Sequence, residues 1–286
     1  MSDQSEFNKI RVESEKLLLL EDSLGWDKAR LMAVDNKAKA FGSLFNILSK
    51  PNPDDIEIIY EEKRFEAFWH VVGTSHFEYK RNHYFHVPVS AEVEDVEVLG
   101  KNFIVNRDTG NFEIEGVEHC REKYREELMI DANTDQPGNF VRYLKFPHRK
   151  ITSTDELIQD GTPIAHLETR ANTLVRTVLG SLVKPIKADQ ILFEDITVHD
   201  LDLYFYPVYT FEYHWKLKDK KATVSFDGVT TEINLKAAKI SDTLKKNFTS
   251  EDLYEFSKEI AQNLVPGGAL AMMVGKKVFE MTKKKA

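Results

Sequence analysis

Hydrophobic and polar positions alternate with two different periods along this chain. Residues 26–48 place Trp26, Ala29, Ala33, Val34, Ala38, Phe41, Leu44, Phe45 and Leu48 mostly three and four positions apart, which predicts a helix. Pro51 and Pro53 end it, because a residue that precedes proline avoids helical geometry. Residues 163–183 repeat the period through Ile164, Leu167, Ala171, Leu174, Val175, Val178 and Leu182, with Pro185 just beyond. Residues 7–20, the charged stretch 117–130, and three closing segments (236–247, 251–264 and 267–282) also read as helices. Residues 56–72, 77–89, 93–99, 191–198, 203–216 and 222–226 are rich in aromatic and β-branched residues and read as strands. Arg107-Asp108-Thr109-Gly110 and Asp227-Gly228 are hairpin turns, each with a glycine free to take positive φ.

The order of these elements repeats. Leu182-Val183-Lys184-Pro185 echoes Leu48-Ser49-Lys50-Pro51. The aromatic passage Phe205-Tyr206-Pro207-Val208-Tyr209 echoes Phe65-Glu66-Ala67-Phe68-Trp69. The polar stretch 131–138, ending in Pro137-Gly138, is the clearest join between the two halves. The expected architecture is therefore α+β: two related helix-plus-antiparallel-sheet units, over 1–135 and 136–286, the second ending in a helical tail.

Composition narrows the function classes. A formal net charge of −8 argues against general nucleic-acid binding, which rests on neutralising phosphates. Cys120 is the only cysteine, so neither an internal disulfide nor a thiolate zinc cluster can form within one chain. Residues 1–16 lack the apolar core of a secretion signal, and no run of about 18 apolar residues occurs, so a cytoplasmic location is expected. The segment 264–286 combines Gly268, Ala269, Ala271 and Gly275 with a lysine-rich end. It suits helix packing and also weak peripheral contact with an anionic membrane. No nucleotide-binding loop, nucleophile elbow or zinc-protease helix is present, and no cofactor is expected.

Four constellations are left that bear chemistry. On a strand, Phe211, Tyr213 and Trp215 face one side while Glu212, His214 and Lys216 face the other. With Asp202 or His199 nearby, that polar face is a candidate for acid–base or metal chemistry. Its spacing resembles the acidic strand of metal-dependent nucleases, with His214 at the position of their lysine. His76, Glu78 and His86 share a strand face and are candidate metal ligands. The aromatic passages suggest a ligand groove lined by Phe68, Trp69, Tyr209, Tyr213 and Trp215. His119-Cys120 is a nucleophilic pair only if an activating partner comes from elsewhere, because helical neighbours point about 100° apart. The expectation that follows is a non-enzymatic binding or assembly protein with a protein partner or a second copy of itself. The alternatives are a metal-dependent hydrolase or nuclease using Asp202, Glu212 and His214, and a carrier of an apolar ligand.

Overall fold

The computed structural model describes residues 8–41, 51–159, 161–235 and 237. In chain order the elements are β1 (Asn8–Val12), β2 (Glu15–Leu20), α1 (Trp26–Asp35), β3 (Ile56–Pro88), β4 (Asp95–Val98), β5 (Lys101–Ile104) and β6 (Asn111–Asp131). They continue with β7 (Gln136–Pro137), β8 (His148–Ile151), α2 (Ala171–Leu182), β9 (Gln190–Trp215), β10 (Lys220–Asp227) and β11 (Ile233–Asn234). β4 and β5 form a separate hairpin, and the other nine strands share one sheet in the order β11-β10-β9-β3-β6-β7. The outer edge of β9 is tiled in succession by parallel β1, parallel β2 and antiparallel β10, and β8 adds to β2.

This corrects the expected α+β duplication. The described chain is mostly β, with one mixed sheet and two α-helices, not a pair of helix-plus-sheet units. The two similar passages are neighbours, not equivalents: β3 and β9 run antiparallel, pairing Phe65 with Pro207, Phe68 with Tyr204 and Trp69 with Leu203. Their likeness has a physical cause. Both strands are central and covered on both faces, so both read as near-continuous apolar runs.

Two-faced burial also explains residues 7–20, which form β1 and β2 rather than a helix over the described positions. Leu17 and Leu18 point to opposite faces and are both buried. Residues 117–130 belong to β6, not to a helix. Their charges alternate at period two, with His119, Arg121, Lys123 and Arg125 exposed and Cys120, Glu122, Tyr124 and Leu128 half-buried between them. The first long helix stops at Asp35, and a 3-10 turn at Lys39–Phe41 follows. The second begins only at Ala171, because the preceding chain bridges Ile164 to Phe65 at the sheet edge. Leu44, Phe45, Leu48 and Lys50, and the closing helices of 236–286 apart from residue 237, lie outside the described residues.

The core has three parts. On one face, Ala67, Trp69, Val71, Leu201, Leu203 and Phe205 pack under α2 through Leu174, Val175, Val178 and Leu182. Farther along that face, Tyr209, Phe211, Tyr213 and Trp215 pack with Ala29 and Ala33 of α1 and with Phe41. On the opposite face, Leu18, Leu20, Phe68, Tyr204, Tyr206 and Val208 pack with Tyr143 and Val229. There Phe68 is sandwiched between Phe140 (4.4 Å between centroids, 3° between planes) and Tyr204 (5.0 Å, 1°).

Candidate functional site

Two features extend beyond the packed core. The first is a ribbon. β3 pairs with β9 only as far as Lys80, but continues against β6 to Pro88. Residues 82–88 and 111–117 therefore run on as two strands for about 23 Å. At the far end β4 and β5 form a hairpin of their own, with Phe103 5.8 Å from Phe112, and Arg107 pairs with Glu94 at 2.7 Å. Phe85 lies across Gly116, where an added Cβ would meet its ring at 2.9 Å. Tyr84, Phe85 and Val117 are exposed along the ribbon, and Ile104 (83%) and Leu99 (99%) at its tip. A two-stranded hairpin is at best marginally stable in water on its own.

The second feature is a row of polar groups at a β-bulge. The ladder shifts between Val72↔Asp200 and Gly73↔Val198, leaving His199 as an extra residue in β9. Bulges of this kind re-aim a side chain. His199 Nδ1 lies 2.7 Å from Glu13 Oε2, and its Nε2 lies 2.7 Å from Thr74 Oγ1. The Glu13 backbone is held by its N–H, which donates to the Val198 carbonyl at 2.9 Å.

Beside the bulge, Asp202 lies between Lys16 of β2 and His70 of β3 as their direct cross-strand neighbour. The Lys16 ammonium sits 3.5 Å from Asp202 and 3.6 Å from Asp200. His70 Nε2 is 2.9 Å from the Glu127 carboxylate on β6. Asp202 is 4% exposed, and its Oδ1 has no hydrogen-bond partner among the described residues. Burial pushes its carboxyl up to about 6; Lys16 pulls it back and Asp200 adds to the rise. The hydrogen bond from His70 holds Glu127 below the usual carboxylate range.

No family profile, curated protein or solved structure matches this chain. Shape and chemistry carry the reading alone.

Asp202, Glu212 and His214 do share a face, as strand alternation requires, but β9 separates Asp202 from Glu212 by ten residues, about 33 Å. His214 instead sits 2.8 Å from Asp219 and 3.6 Å from Glu57. His76 lies 3.3 Å from Glu78, whereas His86 is out on the ribbon, 3.3 Å from Glu113. Among the described residues no three His, Cys, Asp or Glu converge to hold a metal ion. Trp69 fills the core under α2, Tyr209, Tyr213 and Trp215 fill the core at α1, and Phe68 is buried on the opposite face, so the five rings line no common groove. His119 and Cys120, on a strand rather than a helix, point to opposite faces. Among the described residues no helix is long and apolar enough to cross a membrane, and the segment 264–286 lies outside them.

Glu13, Lys16, Thr74 and Glu127 carry no local sequence signal. Histidines cluster between His70 and His86, but nothing in their spacing ties His70 to Asp202 or Thr74 to His199. Pairing of strands distant in sequence brings these groups together.

Proposed function

We propose that this chain is a protein-binding component of a cytoplasmic assembly, docking through the β3–β6 ribbon, with a second copy of the chain as its partner. The observation that carries the reading is the ribbon itself: two strands that no third joins among the described residues, bearing exposed Tyr84, Phe85 and Val117, with exposed Ile104 and Leu99 on the hairpin beyond. Covering such a ribbon removes apolar area from water and pairs its open backbone edges.

Charge supports self-pairing. Along the outer part of β3 stand Arg81, His83 and His86, and along the outer part of β6 stand Glu113, Glu115 and Glu118. Arg81 already pairs with Glu118 within the ribbon, and His86 lies 3.3 Å from Glu113. Even so, the β3 edge of one copy suits the β6 edge of the next. Such a contact is head-to-tail, and it builds rings or open chains rather than closed twofold dimers.

The test is solution mass of the full chain by light scattering from about 1 to 100 µM, at low and high salt. The expected result is an oligomer that grows with concentration and weakens with salt, and that is lost when Tyr84, Phe85 and Ile104 are changed together to serine. A wild-type chain that stays monomeric at 100 µM in low salt overturns the self-pairing.

A further inference from the structure

The groups at the bulge form an ordered chain of hydroxyl, imidazole and carboxylate. Glu13 lies at Nδ1 of His199 and Thr74 at its Nε2, both at 2.7 Å. With Glu13 ionised, the imidazole keeps its proton on Nδ1 and donates it to that carboxylate. Nε2 is then left as an acceptor for the Thr74 hydroxyl proton. A nucleophile within reach of a base, itself oriented by a third group, is the arrangement that activates a hydroxyl. The three come from different elements: the link between β1 and β2, the bulge of β9, and β3.

One cation stands near the hydroxyl to meet developing negative charge. Arg125 of β6 is the direct cross-strand neighbour of Thr74 on the side away from β9, so their Cβ atoms are about 5 Å apart. Its guanidinium is largely exposed, with a 3.4 Å contact to Glu127. Thr74 and His199 are both half-exposed, so an acyl compound can reach the hydroxyl from solvent.

We infer that Thr74, His199 and Glu13 form a catalytic site for acyl transfer from carboxylic esters, with Thr74 as the nucleophile. In the first half-reaction the Thr74 oxygen bonds to the ester carbonyl carbon, and the bond from that carbon to the leaving oxygen breaks. His199 Nε2 takes the Thr74 proton and passes it to the departing alkoxide, which leaves as the alcohol. In the second, water attacks the acyl-threonine, gives a proton to His199, and releases the carboxylic acid as the proton returns to Thr74. Glu13 keeps the imidazole in the accepting tautomer and offsets its positive charge while it carries the proton. The oxyanion is left to Arg125, the cross-strand neighbour of Thr74. A single exposed guanidinium is a poorer oxyanion site than fixed backbone donors in a dry pocket. The expected substrates are therefore esters with good leaving groups, not amides.

The test uses the full chain with p-nitrophenyl acetate and, separately, a fluorophosphonate probe followed by peptide mapping. The expected results are one phosphonyl adduct, on Thr74, and ester hydrolysis that falls about 100-fold in Thr74→Val and His199→Gln. Thr74→Ser should keep both adduct and turnover, which guards against a valine variant that misfolds. Glu13→Gln should lower the rate and move the midpoint of its pH profile, a readout that a bracing role would leave alone. No adduct at Thr74 of the wild-type protein, or hydrolysis unchanged in a folded Thr74→Val, overturns the inference. In that case the chain of hydrogen bonds serves only to fasten the β1–β2 link to the bulge.

Discussion

Replacing Asp202 by asparagine should stabilise this protein at neutral pH and leave it unchanged in acid. Asp202 is almost fully enclosed, one of its oxygens has no partner among the described residues, and its nearest cation, Lys16, stands at 3.5 Å rather than in tight contact. Burial therefore outweighs attraction, and the carboxyl titrates at about 6 instead of its ordinary 3.8. The sign follows from linkage. Below the unfolded value Asp202 is neutral in both states and costs nothing. As pH rises through 3.8 the unfolded chain loses its proton first, so stability falls until the folded group ionises near 6. Roughly two pH units at 1.36 kcal/mol each give a penalty of ~3 kcal/mol above pH 7. The pull of Lys16 is already contained in that shift. Asparagine keeps the shape and carries no charge in either state. Its advantage over wild type should thus grow from near zero at pH 4 to ~3 kcal/mol at pH 8, most steeply between the two titration points. Urea unfolding of both proteins at half-unit pH steps reads this directly, provided the slope against urea stays constant. A difference that does not vary with pH, or a variant less stable than wild type at pH 8, would refute the reasoning. Asp202 would then be ionised and held by Lys16.

Two further substitutions probe how the sheet is covered. Gly73→Ala should cost ~1–3 kcal/mol by overpacking, because the new Cβ would stand 2.7 Å from Leu182 and 3.0 Å from Val178 of α2. Thermal unfolding measures it, and an unchanged midpoint would mean that α2 is free to shift. Phe68→Ala should cost ~3–5 kcal/mol by emptying the middle of the Phe140–Phe68–Tyr204 stack. A loss in urea midpoint below the equivalent of ~1 kcal/mol would show that this face collapses to fill the gap.

Local pattern carried some of this structure and not the rest. Period two on β9 correctly set Phe211, Tyr213 and Trp215 against Glu212 and His214. The three- and four-residue period found the cores of α1 and α2, though not their ends. It failed on β6, where glutamates and arginines alternate on a strand and imitate a charged helix. The apparent repeat misled for a deeper reason: composition reports burial, and two adjacent central strands share burial as readily as two homologous units would. How the polar groups at the bulge come together was hidden. An extra residue at position 199 changes which side chains meet, and no residue type announces it; Asp202 and His199 stood out beforehand, but beside Glu212 and His214 rather than with Lys16, His70, Glu13 and Thr74.

The unbroken course of β3 has a mechanical consequence. One end of this strand is the ribbon and the other lies deep in the sheet, hydrogen-bonded to β9 from Ile56 to Lys80. Antiparallel bonds lie perpendicular to the strands. A tug on the ribbon along its length therefore loads the whole β3–β9 ladder in shear, with many bonds strained together. A tug across the ribbon peels β3 from β6 one rung at a time, starting at Pro88 and Asn111. Tension along the arm meets a stiff rod anchored in the core, whereas a sideways pull meets a zipper.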